Sequence, residues 1–377
     1  MKVVVAIDSF KGSLTSMQAG YAAKEGIEKA CDATVVVKPL ADGGEGTTDA
    51  LIEGLGGEII SLEVTGPMGL PTTAHYGILK DGKTAVLEMA EASGIILVDR
   101  RELNPWKASS VGVGEMILDA IAKGCREFIV GIGGSATTEG GIGMLTSLGY
   151  KFYDADGKQL PPVFSSLDKI DSIDASEVPA ALSECHFQIA CDVTNPLCGE
   201  RGCVYVFGPQ KGVKEEEKAL MDCMMKTYGE KISEFIGKDV SETPGTGAAG
   251  GLGFAFLSMV PNVILKSGIQ IVLEAIDLES ELQDADIVVT GEGRLDFQTA
   301  MGKVPVGVAK LAKKYGCTVL AFAGSVTDDA VECNKNGIDA FFPIVRGVCT
   351  LDEAMDTETA KKNMRLSVEQ TFLLLHA

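Results

Sequence analysis

The sequence predicts a two-domain α/β protein: a Rossmann- or flavodoxin-like doubly wound parallel sheet built from both chain ends, interrupted by an inserted mixed α/β domain. Three observations predict it. Short β-branched runs alternate with helical segments at the start of the chain and again after about Ser280. Between them, from Thr65, apolar and polar residues alternate around turn signals, the texture of antiparallel hairpins. At 377 residues the chain also exceeds one ordinary core. The changes of texture place one domain at residues 1–64 plus 280–377 and the inserted domain at 65–279. The active site is expected in the inter-domain cleft.

The elements follow in order. KVVVAI is a short buried strand. Thr15 and Gln18 form a capping box for a helix reaching about Ala30. TVVVKP is a second strand, GTTDALIEGL a helix after the glycines of ADGGEGT, and EIISLEV a third strand of the same sheet. In the inserted part VGEMILDAIAKG is helical and EFIVGIGG is a strand running into glycines. EEEKALMDCMMKTYGEKISEFIG is a long amphipathic helix whose Met221, Met224 and Met225 read as core filling. After Ser280 the strands are DADIVVTG, CTVLAFAGS and DAFFPIV. VPVGVAKLAKKYG is a helix among them, and TAKKNMRLSVEQTFLLL closes the chain as an amphipathic helix packed on the sheet.

Composition narrows the function. With 46% hydrophobic and 23% charged residues the chain reads as an ordinary soluble globular protein. A net charge of −20 repels a polyanion, which argues against nucleic acid. Small anions remain possible ligands, because backbone N–H groups and a few lysines bind phosphate locally. The opening MKVVVAIDSF is too short for a signal-peptide core, and no apolar run approaches the roughly 20 residues that span a bilayer. A cytoplasmic protein with no membrane partner is expected. Its ten cysteines, without a C-x-x-C pair, read as small buried hydrophobes. Three histidines leave little for a His-based triad or metal cage.

Glycine is the compositional departure: 45 residues, concentrated in blocks between apolar runs. GILKDGKT, residues 77–84, matches the phosphate-binding P-loop pattern letter for letter. Asp81-Gly82, however, is a hairpin turn signal, and Lys83-Thr84 open an alternating strand where a P-loop needs a helix. The nucleotide is therefore expected elsewhere.

Four other blocks follow or open regular elements. The first, Asp42-Gly43-Gly44-Glu45, sets two acids and free backbone at a strand-to-helix junction, the C-terminal edge where open α/β sheets bind ligands. The second, GIGGSATTEGG, lets Gly133, Gly134, Ser135, Thr137 and Thr138 offer N–H and O–H donors to a phosphate at a helix start. The third, PGTGAAGGLG, contains G-x-G-x-x-G at Gly245, Gly247 and Gly250. No strand precedes it, so a dinucleotide fingerprint is disfavoured against a glycine-rich helix start near phosphate. The fourth, TGEGRLDFQTAMGK, groups Glu292, Arg294, Asp296 and Lys303 after a strand, as Asp8, Ser9 and Lys11 follow the first one. Between the domains, CDVTNPLCG offers Asp192 and Asn195 to Mg²⁺ or to a substrate hydroxyl.

Taken together, DSFKGSLTS, PLADGGEGT, GIGGSATTEGG, CDVTNPLCG, PGTGAAGGLG and TGEGRLDFQTAMGKVPVGVA resemble the bacterial type I glycerate kinase family across essentially the whole chain. Thr138-Glu139, Thr194 and Phe297-Gln298 depart from that pattern. The resemblance implies an ATP-dependent, Mg²⁺-requiring kinase of D-glycerate, unrelated to P-loop kinases, yielding 2-phosphoglycerate or 3-phosphoglycerate. On that footing ATP phosphates lie against Gly133, Gly134, Ser135, Thr137, Gly245, Gly247 and Gly250. Glycerate lies near Asp8, Ser9, Lys11, Asp42, Gly43, Gly44, Glu45 and Arg294, with Lys11 and Arg294 as anion contacts. Asp192 or Asp296 accepts the hydroxyl proton, with Asp8 and Asp42 as further candidates, and Asp192 is the expected metal ligand. A kinase of another hydroxy acid or sugar acid, or a non-enzymatic phosphometabolite-binding protein, are the alternatives; a monomer or homodimer is expected.

Overall fold

The computed structural model describes residues 1–376. Its strands in chain order are β1 (Lys2–Ala6), β2 (Thr34–Lys38), β3 (Gly57–Thr65), β4 (Pro71–Leu79), β5 (Thr84–Glu88), β6 (Glu127–Gly131) and β7 (Lys151–Tyr153). They continue as β8 (Ser172–Asp174), β9 (His186–Ala190), β10 (Val263–Lys266), β11 (Ile287–Leu295), β12 (Thr318–Val326) and β13 (Ala340–Pro343). The chain divides into two compact units. The first comprises Met1–Asp42, Asp49–Gly56 and Ile269 to the C-terminus; the second comprises Gly43–Thr48 and Gly57–Gly268.

The first unit holds a parallel sheet in the order β13-β12-β11-β1-β2. Its strands are apolar runs because both faces are covered. On one face Val3, Val5, Val289 and Phe322 pack with Ala19, Ala23 and Ile27 of the helix Ser16–Ala30 and with Met364, Val368 and Phe372 of the helix Thr357–Leu375. The helix Val304–Lys314 packs against β11 and β12. The capping box at Thr15 forms as the sequence predicts: Gln18 N–H donates to Thr15 Oγ1 at 3.2 Å, and Thr15 N–H to Gln18 Oε1 at 3.0 Å.

The second unit carries a six-stranded sheet, β10-β9-β6-β5-β4-β3, in which β3, β4 and β5 are antiparallel and β5, β6, β9 and β10 run parallel. EIISLEV is thus not the third strand of the first sheet. It pairs with β4 along nine residues, from Gly57 opposite Leu79 to Thr65 opposite Pro71, because a tight turn at Gly66–Leu70 returns the chain alongside it. A short antiparallel ribbon of β7 and β8, which the sequence pattern does not single out, stands apart. Met221, Met224 and Met225 are buried in this unit's core with Tyr228, Phe254 and Phe256. CDVTNPLCG lies within the second unit, at the C-terminal end of β9, and is not a connection between domains.

GILKDGKT is the β4–β5 hairpin. Asp81 accepts hydrogen bonds from the N–H of Lys83 at 2.8 Å and Thr84 at 2.9 Å and from Thr84 Oγ1 at 2.6 Å, so its carboxylate occupies the donors a phosphate would need.

Candidate active site

The winding order of the first unit's parallel sheet reverses beside its central strand. From β1 the chain winds outward to β2, and the later strands β11, β12 and β13 build on the other side. Such a switch point opens a crevice at the C-terminal ends of the strands. Asp8 stands there, directly after β1, its N–H donating to the Gly291 carbonyl of β11 at 2.9 Å. Asp8 is only 7% exposed. Burial, the Asp42 charge and the Glu292 charge raise its pKa from 3.8 to about 7, against the N–H of Ser9, which donates to Asp8 Oδ1 at 2.7 Å. Burial likewise raises the Glu292 carboxyl, which accepts the Thr299 hydroxyl at 2.5 Å.

The cations nearby are exposed. Lys11 Nζ lies 3.8 Å from Asp42 Oδ2, and Arg294 Nε 3.6 Å from Asp296 Oδ2. Asp296 is also an N-cap: its Oδ1 accepts from the N–H of Gln298 at 2.9 Å and of Thr299 at 3.3 Å, starting the one-turn helix Phe297–Ala300. Asp8, Ser9, Lys11, Asp42, Arg294 and Asp296 all belong to this unit. Gly43, Gly44 and Glu45 do not: they belong to the second unit.

The second unit gathers the remaining blocks. A Cβ on Gly43 would lie 2.4 Å from Gly268 Cα and 2.9 Å from Ala190 Cβ, so its backbone rests on the end of β9. Glu88, at the end of β5 and 7% exposed, accepts from the N–H of Gly46 at 3.0 Å and of Thr48 at 2.9 Å and so holds this loop down. Burial raises the Glu88 pKa against those two bonds. Asp192 follows β9, and its Oδ1 accepts from the Gly268 N–H at 3.1 Å.

In GIGGSATTEGG, Gly133 and Gly134 are exposed and Ser135 to Gly141 are buried. The helix Ile142–Ser147 that follows is capped from within. The buried Glu139 carboxylate accepts from the N–H of Gly143 at 3.3 Å and of Ser110 at 2.9 Å, and from the Ser110 hydroxyl. That helix start is therefore not the exposed anion seat the sequence suggests; the exposed backbone lies at Gly133 and Gly134. PGTGAAGGLG packs on the same segment. Gly140 N–H donates to the Gly250 carbonyl at 2.8 Å, and a Cβ on Gly250, whose φ is +67°, would meet the Thr137 carbonyl oxygen at 2.2 Å. Gly247 N–H donates to the Asn195 carbonyl at 2.9 Å, which brings CDVTNPLCG into the group.

Two residues here escape sequence reasoning. Lys211 is 1% exposed, and its Nζ donates to Ser135 Oγ at 2.7 Å and to the Thr137 carbonyl at 2.5 Å. Within FGPQKG it reads as a surface turn and carries no signal. Glu88 did carry one, since an acid follows the apolar run of the alternating strand TAVLEM.

An acid-lined switch point in one unit and glycine-rich backbone beside a buried lysine in the other define an α/β enzyme that handles small anions. The sequence profile of the glycerate kinase family matches residues 3–376. Glycerate 2-kinase of Escherichia coli K12 is 45% identical over 355 residues, 94% of this chain and 93% of that protein. A glycerate kinase of Bacillus subtilis 168 is 43% identical over 94% of this chain and 93% of its own. A crystal structure of a protein assigned as glycerate kinase 2 from Salmonella typhimurium LT2 superposes with a TM-score of 0.92 at 42% identity, covering 100% of this chain and 98% of that one. The chain belongs to the glycerate kinase family, and it is a phosphotransferase with an alcohol group as acceptor. Among the described residues no helix is long and apolar enough to cross a membrane.

Proposed function

We propose that this chain transfers the γ-phosphate of ATP to the 2-hydroxyl of D-glycerate, giving 2-phosphoglycerate. The observation that carries the mechanism is Asp8, a buried carboxylate at the switch point whose pKa of about 7 matches a proton acceptor working near neutral pH. The 2-position follows the name of the Escherichia coli relative at 45% identity.

Phosphoryl transfer asks the protein for positioning and charge stabilisation more than for covalent chemistry. In this reading Asp8 takes the proton of the attacking hydroxyl; burial holds its pKa up, and repulsion from Asp42 and Glu292 adds to it. Lys11 and Arg294 contact the glycerate carboxylate, Arg294 through its planar fork, with the Ser9 backbone alongside. Asp296 shapes the Arg294 loop, because its carboxylate already caps Phe297–Ala300. The exposed Gly133 and Gly134 offer N–H groups to the ATP phosphates, with Ser135 and Thr137 behind them. Gly245, Gly247 and Gly250 act from behind by close packing, and Gly43, Gly44 and Glu45 line the neighbouring strand ends.

Asp192 is a hard oxygen donor at the end of β9 and suits Mg²⁺, which needs one or two carboxylates and keeps several waters. When bound, Mg²⁺ supplies charge neutralisation to the phosphates.

The test is phosphorus NMR of the product formed from ATP and D-glycerate, beside ADP release with L-glycerate, tartronate and glycolate. A 2-phosphoglycerate resonance and a preference for D-glycerate are expected. A 3-phosphoglycerate resonance overturns the regiochemistry, and preference for another acid overturns the substrate.

A further inference from the structure

We propose that Lys211 is a positioning residue for phosphate binding: its buried ammonium orients Ser135 and the Thr137 carbonyl so that the Gly133–Ser135 turn presents hydrogen-bond donors outward. The inference rests on the reading of that turn as the phosphate site.

An ammonium carries three donors and no acceptor. Ser135 Oγ, 2.7 Å from Lys211 Nζ, is therefore held as the acceptor of that bond, and its own proton must go to another partner. The Thr137 carbonyl, 2.5 Å away, is polarised in the same way, which strengthens the N–H of the shared peptide at Thr138 as a donor. A lysine at 1% exposure with a hydroxyl and a carbonyl as partners is a costly way to fill space; methionine would fill it without desolvating a charge. The segment also carries unused polar capacity. Thr137 Oγ1, Thr138 Oγ1 and Glu139 Oε2 are buried without a hydrogen-bond partner. A cation placed behind exposed backbone N–H groups favours an anion in front of them.

The charge of Lys211 is adjustable. Burial lowers its pKa to about 8, while the neighbouring Cys203 and Glu139 act to raise it; Cys203 is itself held up at about 12 by burial. Anion affinity should therefore fall as pH rises through this range, and a guanidinium in the same place should abolish that dependence.

The experiment is calorimetric titration of the full chain with ADP at pH 7.5 and 9.5, with steady-state kinetics. Lys211→Met is expected to weaken ADP binding about tenfold or more and to raise KM for ATP while leaving KM for glycerate unchanged. Lys211→Arg restores affinity and loses the fall between the two pH values that the wild type shows. A folded Lys211→Met protein with ADP affinity within about twofold of wild type overturns the proposal. Should that variant not fold, Ser135→Ala decides: several-fold weaker ADP binding supports it, and unchanged affinity with unchanged pH dependence overturns it. Gly133→Asp separates the two levels. Normal ADP binding by Gly133→Asp overturns the phosphate-turn reading itself, whereas blocked binding there with an indifferent Lys211→Met removes the role of Lys211 alone.

Discussion

The switch-point crevice of the first unit and the glycine-rich turn of the second solve opposite electrostatic problems. In the crevice Asp8 is buried beside the charges of Asp42 and Glu292 with only exposed cations nearby, so burial first and like-charge repulsion second raise its pKa. At the turn a lone ammonium is enclosed, and the carboxylate whose charge acts on it, Glu139, is committed to Ser110 and Gly143. A proton acceptor needs an environment that resists its ionisation. A phosphate seat needs positive potential delivered through neutral groups that do not bind the anion too tightly. The contrast teaches that acidic composition overall says little about either place; local burial decides both.

The largest expected effect breaks the crevice. Asp8→Asn should lower kcat by about 10²–10⁴-fold with KM for ATP unchanged. In the wild type kcat/KM should rise with pH to a plateau above about 7 as Asp8 ionises, and the variant should lose that limb. Stability gives the opposite sign. A carboxyl with a raised folded-state pKa contributes stability that is complete below its unfolded pKa and lost as pH climbs through the folded value. Between about pH 4 and pH 7 this amounts to roughly 4 kcal/mol, visible in urea melts and absent from Asp8→Asn. A variant with near-normal turnover and an unchanged melt profile would dissolve the contrast between the two regions.

Next comes the packing behind the turn. Gly250→Ala places a Cβ against the Thr137 carbonyl at a left-handed φ, and should cost about 2–4 kcal/mol in urea unfolding. Equal stability there would mean that the two glycine blocks are not jammed together.

Smaller again is Glu88→Ala, which leaves the N–H groups of Gly46 and Thr48 without their carboxylate. A loss of about 1–3 kcal/mol is expected, with faster hydrogen exchange at those two amides. Slow exchange in the variant would show that the loop is held by something else.

Smallest is Lys83→Ala in the P-loop look-alike. KM for ATP should stay within about twofold and stability within about 0.5 kcal/mol, since the turn is organised by Asp81. A large rise in KM would return the phosphates to the hairpin.

Much of the fold was legible locally. The β-branched runs, the Thr15–Gln18 capping box and the Asp81-Gly82 turn are patterns of neighbouring residues, and neighbours along the chain set periodicity, caps and turns. The blocks that carry the family resemblance were legible for the same reason. Strand partnership was less so: EIISLEV looks like any strand, and pairing with β4 rather than the first sheet depends on the turn that follows it. The dense glycines of the second and third blocks suggested an exposed cradle. Part of their use is instead the contact of Gly250 with Thr137, a close approach between segments over a hundred residues apart in sequence.

By itself, then, the sequence determined the strands, helices and turns, the kinase family and the stretches where chemistry is concentrated, because each is written in short-range order. Only the tertiary structure decided that Asp8 meets Asp42 and Glu292, that Lys211 is enclosed against Ser135, and that Glu139 closes off a helix start. Burial and charge coupling are properties of what surrounds a side chain in space, and those surroundings come from parts of the chain that no local pattern connects.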